Sequence, residues 1–189
     1  MELEVIERLK EFSVPELCDG SRIPYAMDYE IKPWLGRTKI AGPAVTVDVP
    51  AGESGLVAEA IKIAEPGAVL VVAGKKNCAT AYWGDQRSYE ASVRGVAGVV
   101  IDGAFRDLEG CEEEKLPIFA RAITCVASGK SGRGAINVPV SCGGVMVRPG
   151  DIIAGDCNGV CVVRPEEAEE IIANALEKRR KEAGRRKQN

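Results

Sequence analysis

The apolar stretch AVLVVA at residues 68–73 contains no polar side chain, which indicates a β-strand covered on both faces. A second run of this kind, GVVI at residues 98–101, follows a segment at 84–93 that predicts a helix. Earlier in the chain than both apolar runs, valines alternate with small or polar residues at 44–49, which predicts a strand with one buried face. Residues 56–64 predict another helix. A strand–helix–strand–helix–strand order predicts parallel βαβ units with right-handed crossovers.

After Pro117, the sequence pattern predicts short strands in place of helices. Glycine-rich turns separate these strands, and Pro165 then occupies the first turn of a final helix. No Pro/Ser-rich linker and no repeat divides the two halves. We therefore predict one α/β domain at residues 1–177, with a βαβ N-terminal half and a β-rich C-terminal half, followed by a basic tail at 178–189. The predicted strands cover residues 118–122, 136–141, 145–147, 152–154 and 160–163.

Two short helices are predicted before the first strand. Residues 3–12 place their apolar side chains on one helical face. Ser13 and Glu16 have the spacing of a capping box, and Pro15 suits a first helical turn. A second helix should therefore begin there and end near Gly20.

The composition excludes several kinds of site. The 189 residues include no histidine, which excludes Ser-His-Asp and Cys-His nucleophiles and zinc sites built on histidine. The seven cysteines show no CxxC spacing, so we expect reduced thiols that pack as small apolar residues. No apolar run approaches the ~18 residues of a membrane span, and the N-terminus is charged, which predicts a soluble, cytoplasmic protein with no membrane partner.

Charge is distributed unevenly along the chain. Residues 178–189 hold seven basic residues and one acid, whereas the preceding residues hold 18 basic and 27 acidic residues. A basic tail can bind nucleic acid. Because no aromatic residue and no further basic stretch accompanies it, the solvated, frayed end of a helix is the preferred interpretation, and a nucleic-acid partner is not expected.

Two lysine-containing segments resemble functional motifs but lack their context. SGKS at residues 128–131 resembles the end of a phosphate-binding P-loop, yet Thr124 stands where that motif needs glycine. A mobile hairpin loop is the preferred interpretation. Lys75 and Lys76 follow a predicted strand, where a Schiff-base lysine could lie, but nothing nearby is predicted to desolvate either amine.

A stronger candidate site combines two segments. WGDQR at residues 83–87 begins a predicted helix, whose free N–H groups and dipole attract anions. DGAFRD at residues 102–107 follows a predicted buried strand, at the edge where open α/β sheets bind ligands. Because that strand directly follows that helix, both segments should lie at one end of the sheet. Arg106 offers a planar fork for a carboxylate and Asp107 offers hard oxygens for a divalent cation, although a surface ion pair is the alternative.

Eight stretches of the chain, taken in order, form a recognisable pattern. They are GPAVTV (42–47), PGAVLVV (66–72), WGD (83–85), GVAGVVIDG (95–103) with RD (106–107), PIFAR (117–121), PVSCGGV (139–145), PGD (149–151) and DCNGV (156–160). In order and spacing they resemble the RraA-like family, named for the regulator of ribonuclease activity A. The resemblance spans about residues 13–170.

The resemblance implies a swivelling β/β/α-type domain assembled as a homotrimer or a multiple of three, with sites near subunit interfaces. It implies that Arg106 is catalytic and binds substrate, and that Asp107 is catalytic and holds a divalent metal cation, Mg²⁺ or Mn²⁺. The loop that would bind the pyruvyl part of a substrate comprises Gly84, Asp85, Gln86 and Arg87.

The family includes 4-hydroxy-4-methyl-2-oxoglutarate aldolases and oxaloacetate decarboxylases. The resemblance therefore implies a metal-dependent class II lyase that cleaves a small 2-oxo acid to pyruvate. The alternative within the family is a non-catalytic regulator that binds a ribonuclease or another large enzyme.

Two departures from the family pattern bear on the substrate. Aldolase members tend to carry an acidic residue three positions after the Arg-Asp aspartate, where this chain has Gly110, with Glu109 one place early. Arg87 and Ser88 replace the apolar residues usual after the Gly-acid pair. The resemblance thus leaves the identity of the 2-oxo acid open.

Overall fold

The computed structural model describes residues 2–35 and 39–186. Within them the chain forms six α-helices, eleven β-strands and one 3₁₀ turn at Pro165–Glu167, and none of these helices is long and apolar enough to cross a lipid bilayer. The helices are α1 (Glu2–Lys10), α2 (Val14–Gly20), α3 (Gly55–Ile63), α4 (Asp85–Val93), α5 (Leu108–Glu114) and α6 (Ala168–Arg186). The strands are β1 (Tyr25–Ala26), β2 (Lys32–Pro33), β3 (Ile40–Asp48), β4 (Val69–Ala81), β5 (Gly98–Phe105), β6 (Ile118–Ile123), β7 (Ala135–Ile136), β8 (Val140–Cys142), β9 (Val145–Val147), β10 (Ile152–Asp156) and β11 (Gly159–Val163).

Nine of the strands form one mixed sheet. Its order is β1-β11-β10-β3-β4-β5-β6-β2, with β7 paired to β3 beside β10. β3, β4, β5 and β6 are parallel neighbours, and α3, α4 and α5 connect them in turn. The predicted parallel βαβ order is confirmed and continues through one further unit. The apolar periodicity does not predict α5, because its sequence LEGCEEE has no apolar face and Cys111 is its buried residue.

The core lies on both faces of the parallel strands. Helices α3, α4 and α5 cover one face, and the β8–β9 hairpin packs against the other. Helices α1, α2 and α6 cover β10 and β11. The prediction of a single α/β domain of β/β/α type is therefore confirmed. The prediction of one buried face for β3 is wrong, because this strand lies inside the sheet with cover on both faces, and Thr46 is as fully buried as Val47.

Strands β4 and β5 extend beyond their apolar stretches. All eight residues of β5 are buried. The strand ends at Phe105, and Arg106 begins the turn that follows it. β4 continues to Ala81 after a bulge in its pairing with β5, where Lys75 and Lys76 adopt left-handed φ angles of 58° and 59°. The segments that follow β4 and β5 therefore begin at the same edge of the sheet.

Helix α6 crosses the predicted boundary between the domain and the basic tail. It continues without a break to Arg186, and residues 187–189 lie outside the described residues. Arg179 donates to the Glu16 carboxylate of α2 at 2.8 Å, and this hydrogen bond lowers the pKa of Glu16 to about 2. Glu16 also completes the predicted capping box with Ser13. A residue of the predicted tail thus fastens α6 to α2, and the division at 177/178 stays a prediction.

Candidate active site

A cleft of about 430 Å³ opens where β4 and β5 end. Its walls come from the start of α3, the start of α4, the turn between β5 and α5, and the loop at residues 127–132. The two predicted site segments therefore meet at one edge of the sheet, while the roles of their residues stay predictions. The predicted site residues that line the cleft are Gly84, Asp85, Gln86, Arg87, Arg106 and Asp107.

Arg106 and Asp107 occupy the tight turn between β5 and α5. Arg106 Nε lies 3.0 Å from Asp107 Oδ2, and the two side chains are 43% and 37% exposed. A solvated pair of this kind stabilises a fold by only ~0–1 kcal/mol, so stability does not account for it. Asp107 has a left-handed φ of 59°, which is uncommon for a residue with a side chain. Backbone strain of this kind concentrates at functional sites.

A chain of buried polar contacts holds this turn in place. The Trp83 indole Nε1 donates to Ser88 Oγ at 2.8 Å, and the Ser88 hydroxyl donates to Cys111 Sγ at 3.4 Å. The Cys111 thiol in turn donates to the Arg106 carbonyl at 3.5 Å. Burial raises the pKa of the Cys111 thiol, which therefore stays protonated and able to donate. Ser88 and Cys111 are thus positioning residues, and neither belongs to a motif that would signal this role in the sequence.

Two glycines allow the start of α4 and the β5–α5 turn to approach each other. A Cβ on Gly84 would lie 2.7 Å from Asp107 Oδ2, and one on Gly110 would lie 2.7 Å from Asp85 Cβ. Both separations are shorter than van der Waals contact. The aldolases that this chain resembles tend to carry an acidic residue at position 110, and here Asp85 occupies the space that such a side chain would need.

At the start of α4, main-chain N–H groups are more available to an anion than side chains are. Asp85 Oδ1 accepts from the Gln86 N–H at 2.6 Å, and the Gln86 amide donates to Glu90 Oε1 at 3.0 Å. The Gln86 side chain, predicted to bind substrate, is therefore turned along the helix. The positive end of the helix dipole remains for a ligand, together with the first-turn N–H groups other than that of Gln86.

Arg87 is built into the wall of the cleft. Its Nη2 donates to the Ser54 carbonyl at 3.0 Å and to the Ser54 hydroxyl at 3.1 Å, and its Nη1 donates to the Tyr82 carbonyl. Burial lowers the pKa of Arg87; the negative charge of Glu90 opposes this shift, and the positive charge of Arg106 adds to it. The guanidinium thus joins α4 to the segments before α3 and after β4.

The loop at residues 127–132 contains the SGKS segment and is tethered rather than free. The Glu53 carboxylate accepts from the Ser131 N–H at 2.8 Å and from the Gly55 N–H at 2.7 Å. A hydrogen bond from the Ser131 hydroxyl, together with these N–H groups, lowers the pKa of Glu53 to about 2, so the carboxylate is ionised at neutral pH. The tether places Ser128 and Lys130 at the cleft.

Sequence reasoning missed this loop as part of the site. Glu53 and Ser131 are 78 positions apart, and no periodicity links them. The SGKS pattern marks the segment correctly, but it points to a P-loop, which the structure does not form because β6 precedes the segment and no helix follows it directly. The useful signal is therefore the position of the segment in the fold, not its motif.

The two lysines after the apolar part of β4 lie outside the cleft. Lys75 pairs with Asp48, and Lys76 Nζ lies 3.4 Å from Asp28 Oδ2. Both side chains are exposed, at 45% and 60%. An exposed, paired amine keeps its ordinary hydration, so nothing here favours a Schiff-base role.

The oxygen donors of the cleft fit a hard divalent cation. Asp85 and Asp107 bring two carboxylates to it from adjoining segments, and Glu59 and Glu90 also line it. Across residues 2–35 and 39–186, no three His, Cys, Asp or Glu side chains cluster into a closed metal site. Mg²⁺ is commonly held by one or two carboxylates and several waters, and Mn²⁺ favours the same oxygen ligands, whereas structural zinc takes four protein ligands. The donor set therefore fits hydrated Mg²⁺ or Mn²⁺.

The chain matches known proteins over most of its length. A family model described as RraA-like, Aldolase/RraA, matches residues 14–162. An uncharacterized protein of Methanocaldococcus jannaschii is 44% identical over 177 residues, which cover 92% of this chain and 83% of that protein. A protein of Halalkalibacterium halodurans named "Putative 4-hydroxy-4-methyl-2-oxoglutarate aldolase" is 43% identical over 148 residues, covering 78% of this chain and 70% of the relative.

Solved structures share the fold. The RNA-processing inhibitor RraA from Thermus thermophilus superposes with a TM-score of 0.75 at 31% identity, covering 80% of this chain and 92% of that one. A Streptomyces coelicolor member of the RNase ES inhibitor RraA protein family superposes with a TM-score of 0.83 at 28% identity, covering 97% and 96% of the two chains. The names of these relatives include both an enzyme and inhibitors of RNA processing.

Proposed function

Since the chain belongs to the RraA-like family, we propose that it is a carbon–carbon lyase that cleaves a small 2-oxo acid and releases pyruvate. The observation that carries the proposal is the convergence of Arg106, Asp107 and the N-terminus of α4 on one cleft. Each of these features suits one part of a 2-oxo acid. The aldolase names of several relatives support the same class of reaction.

The start of α4 binds the C1 carboxylate. The first-turn N–H groups other than that of Gln86, together with the positive end of the helix dipole, stabilise an anion there. Arg106 donates from its guanidinium to the keto oxygen at C2. Because the Arg106 Nε faces Asp107 Oδ2 at 3.0 Å, the terminal Nη groups are the ones that reach the substrate.

Asp107 is the residue that would hold Mg²⁺ or Mn²⁺, with the Asp85 carboxylate on the adjoining segment of the same cleft. Bound there, the cation supplies Lewis-acid polarisation of the substrate carbonyl. The contact with Arg106 uses Asp107 Oδ2, so Oδ1 is the oxygen left for a cation.

In the cleavage step, a carboxylate of the cleft takes the proton of the C4 hydroxyl. The electron pair of the C3–C4 bond moves toward C3 and onto the C2 oxygen, which forms pyruvate enolate and leaves C4 as a carbonyl. Arg106 faces the oxygen on which negative charge develops, and an interaction that is strongest in the transition state lowers the barrier. Return of the proton to C3 yields pyruvate. Oxaloacetate has a carboxylate at C4 and no hydroxyl proton to remove, so its C3–C4 electron pair moves in the same way, CO₂ leaves, and water supplies the proton to C3. Neither reaction needs the absent histidine.

A pyruvate-release assay tests the proposal. The protein with Mn²⁺ is expected to release pyruvate from 4-hydroxy-4-methyl-2-oxoglutarate or from oxaloacetate at a rate above that of Mn²⁺ alone. Oxalate, a flat dianion shaped like the enolate, is expected to inhibit competitively. Release of pyruvate from neither substrate would contradict the proposal.

The second candidate is a non-catalytic regulator that binds a ribonuclease or another large enzyme. The 31% identity with the RNA-processing inhibitor of Thermus thermophilus favours it. A regulator does not depend on an intact turn at Arg106 and Asp107. Capture of a large enzyme from native lysate by wild-type and Asp107→Asn protein alike, without pyruvate release, would favour the regulator.

Gly84→Ala is expected to lower kcat/KM about 30-fold with little change in thermal stability. The added Cβ would lie 2.7 Å from Asp107 Oδ2. That oxygen is the movable end of a side chain, so the carboxylate shifts while the backbone stays. Gly84 has a φ of −168°, which alanine adopts without strain. Pyruvate release and thermal unfolding, measured on one preparation, check this.

The matched control for this change is Gly184→Ala in α6, where nothing lies within 4 Å of the added methyl group. It should leave activity unchanged and raise stability slightly, because alanine favours a helix more than glycine does. Full activity in Gly84→Ala would contradict a role for the Asp107 carboxylate in the reaction.

We also propose that the chain assembles as a homotrimer or a multiple of three. Ile123 and Val126, at the end of β6 and beyond it, expose 38% and 52% of their surface. Exposed apolar side chains are available for burial when chains assemble. Light scattering is expected to give a mass that is a multiple of three times the 20.1 kDa of one chain. The mass of a single chain would contradict the trimer.

A further inference from the structure

Two of the seven cysteines face each other between helix α2 and strand β11. Successive side chains of a strand point to opposite faces, and Cys161 lies on the face of β11 that α1, α2 and α6 cover. In α2, Cys18 is one turn after Val14 and packs against the same core cluster, which contains both Val14 and Cys161. The two cysteines therefore share one interface, although about 140 positions separate them in the chain.

The strands beside Cys161 carry small side chains at its level. Cys161 is paired in register with Ala154 of β10 and with Ala26 of β1, and both pairings are antiparallel. Directly opposite residues of antiparallel strands point to the same face, so two methyl groups flank the Cys161 thiol. These short side chains let α2 pack close to the sheet, and the Cys18 and Cys161 thiols interact directly.

Hydrogen bonds hold α2 in place at both ends. At its start, the Val14 N–H donates to the Oδ2 of the buried Asp156 carboxylate at 2.9 Å. At its end, Asn174 Nδ2 of α6 donates to the Gly20 carbonyl at 2.9 Å. Cys18 lies between these two contacts. Its thiol is therefore held over β11 before any bond to Cys161 forms.

The two thiols differ in access and in acidity. Cys18 is half-buried, whereas Cys161 is buried. A hydrogen bond from the Cys161 thiol lowers the pKa of Cys18, although burial and the negative charges of Asp19 and Asp156 oppose this shift. The same contact raises the pKa of Cys161, and burial and Asp156 add to the rise. The more accessible thiol is thus the better nucleophile, and its buried neighbour is placed to react second.

We infer that Cys18 and Cys161 form a redox couple, which a small-molecule disulfide converts to a disulfide bond between α2 and β11. The Cys18 thiolate attacks one sulfur of the small disulfide, whose S–S bond breaks to release one thiolate. Cys161 then loses its proton and attacks the Cys18 sulfur, which releases the second thiolate. Two protein thiols are oxidised, one small disulfide is reduced to two thiols, and the two protein protons go to the leaving thiolates.

The expected consequence of the bond is greater stability of the folded chain. A disulfide that closes a loop of about 140 residues restricts the unfolded chain strongly. Neither Cys18 nor Cys161 lines the cleft between Arg106 and the 127–132 loop. The couple therefore responds to redox conditions by fastening the helical layer to the sheet, and it does not depend on the proposed lyase function.

Counting of free thiols tests the inference. Cys125 and Cys157 are the cysteines described as exposed, and Cys125→Ser with Cys157→Ser removes both from reaction with glutathione. This full-length protein is incubated with oxidised glutathione without oxygen, quenched in acid, unfolded and alkylated with N-ethylmaleimide. Mass spectrometry is expected to show three alkylated cysteines of the remaining five and no bound glutathione. The midpoint of thermal unfolding is expected to rise by about 5–10 °C, and dithiothreitol should reverse the rise.

Single substitutions in the same background identify the pair. Cys161→Ala is expected to stop at a mixed disulfide of Cys18 with glutathione, and Cys18→Ala should bind no glutathione and keep every remaining thiol free. Neither variant should gain thermal stability on oxidation. Cys78→Ala in β4 is the matched control, because Cys78 is half-buried like Cys18. It should still lose two thiols and show the full rise in the unfolding midpoint.

Thermal unfolding of each variant in its reduced state shows that it is folded before oxidation. Cys18→Ala shortens a half-buried side chain, so it keeps the test open should Cys161→Ala fail to fold. Five free thiols after oxidation of the background protein would overturn the inference. A lasting mixed disulfide at Cys18 in that protein, or loss of two thiols in Cys18→Ala, would overturn it as well.

Discussion

Asp107→Asn is expected to lower metal-dependent kcat/KM for pyruvate release at least about a thousandfold. The substitution removes the negative charge that would hold the cation and keeps the shape of the side chain. It also suits the backbone, because Asp107 has a φ of 59° and asparagine adopts the left-handed region more readily than most residues. Asp107→Ala should be equally inactive but should also lose stability from the strained backbone. Thermal unfolding alongside the pyruvate assay separates the two effects.

Glu109→Gln is the matched control for this charge removal. Glu109 lies in the first turn of α5, exposed and outside the cleft. It should retain wild-type activity and the wild-type response to Mn²⁺ concentration. Retention of full activity in Asp107→Asn would show that the mechanism is wrong and would leave the regulator as the better hypothesis.

Arg106→Lys is expected to lower kcat about a hundredfold without a change in the free energy of unfolding. The guanidinium directs Nε toward Asp107 Oδ2 at 3.0 Å and has its Nη groups free for the substrate oxygen. Lysine has a single nitrogen and cannot make both contacts in one plane. Because the Arg106 side chain is 43% exposed, its removal leaves no buried group unpaired.

The comparison variant for Arg106→Lys is Arg94→Lys, at the exposed C-terminal end of α4 and outside the cleft. Steady-state kinetics on both variants should show the loss at Arg106 alone. An Arg106→Lys enzyme with wild-type kcat would mean that positive charge suffices and that the planar fork plays no part in the transition state.

The local sequence predicts the parts of the fold that depend on neighbouring residues. The apolar stretch at 68–73 and the run at 98–101 form buried strands. Neither contains a polar side chain, so both faces of each strand can be covered without burying a polar group. The capping box of Ser13 and Glu16 forms because its hydrogen bonds span three positions. The convergence of Gly84 and Asp107 also follows from local order, since a helix that precedes a parallel strand begins where that strand ends.

Two features of the fold escape such reasoning. Helix α5 carries LEGCEEE, and no apolar periodicity distinguishes this stretch from an acidic loop, so its position as the crossover between β5 and β6 is what makes it a helix. Burial of both faces of β3 depends on the β8–β9 hairpin, which lies about a hundred residues further along the chain. The alternation of apolar and polar side chains along a strand indicates that one face is covered. It does not indicate which distant segment packs against the other face.

By itself, then, the sequence determined the parallel order of the central strands, the absence of histidine chemistry and the edge at which Arg106 and Asp107 lie. Only the tertiary structure decided the rest of the cleft. Glu53 tethers the loop that carries Lys130 through a contact across 78 positions, and Arg87 donates to the carbonyl oxygen of Ser54, 33 positions earlier in the chain. Periodicity and motifs record interactions between residues a few positions apart. Contacts between distant segments arise only when the packed core brings those segments together.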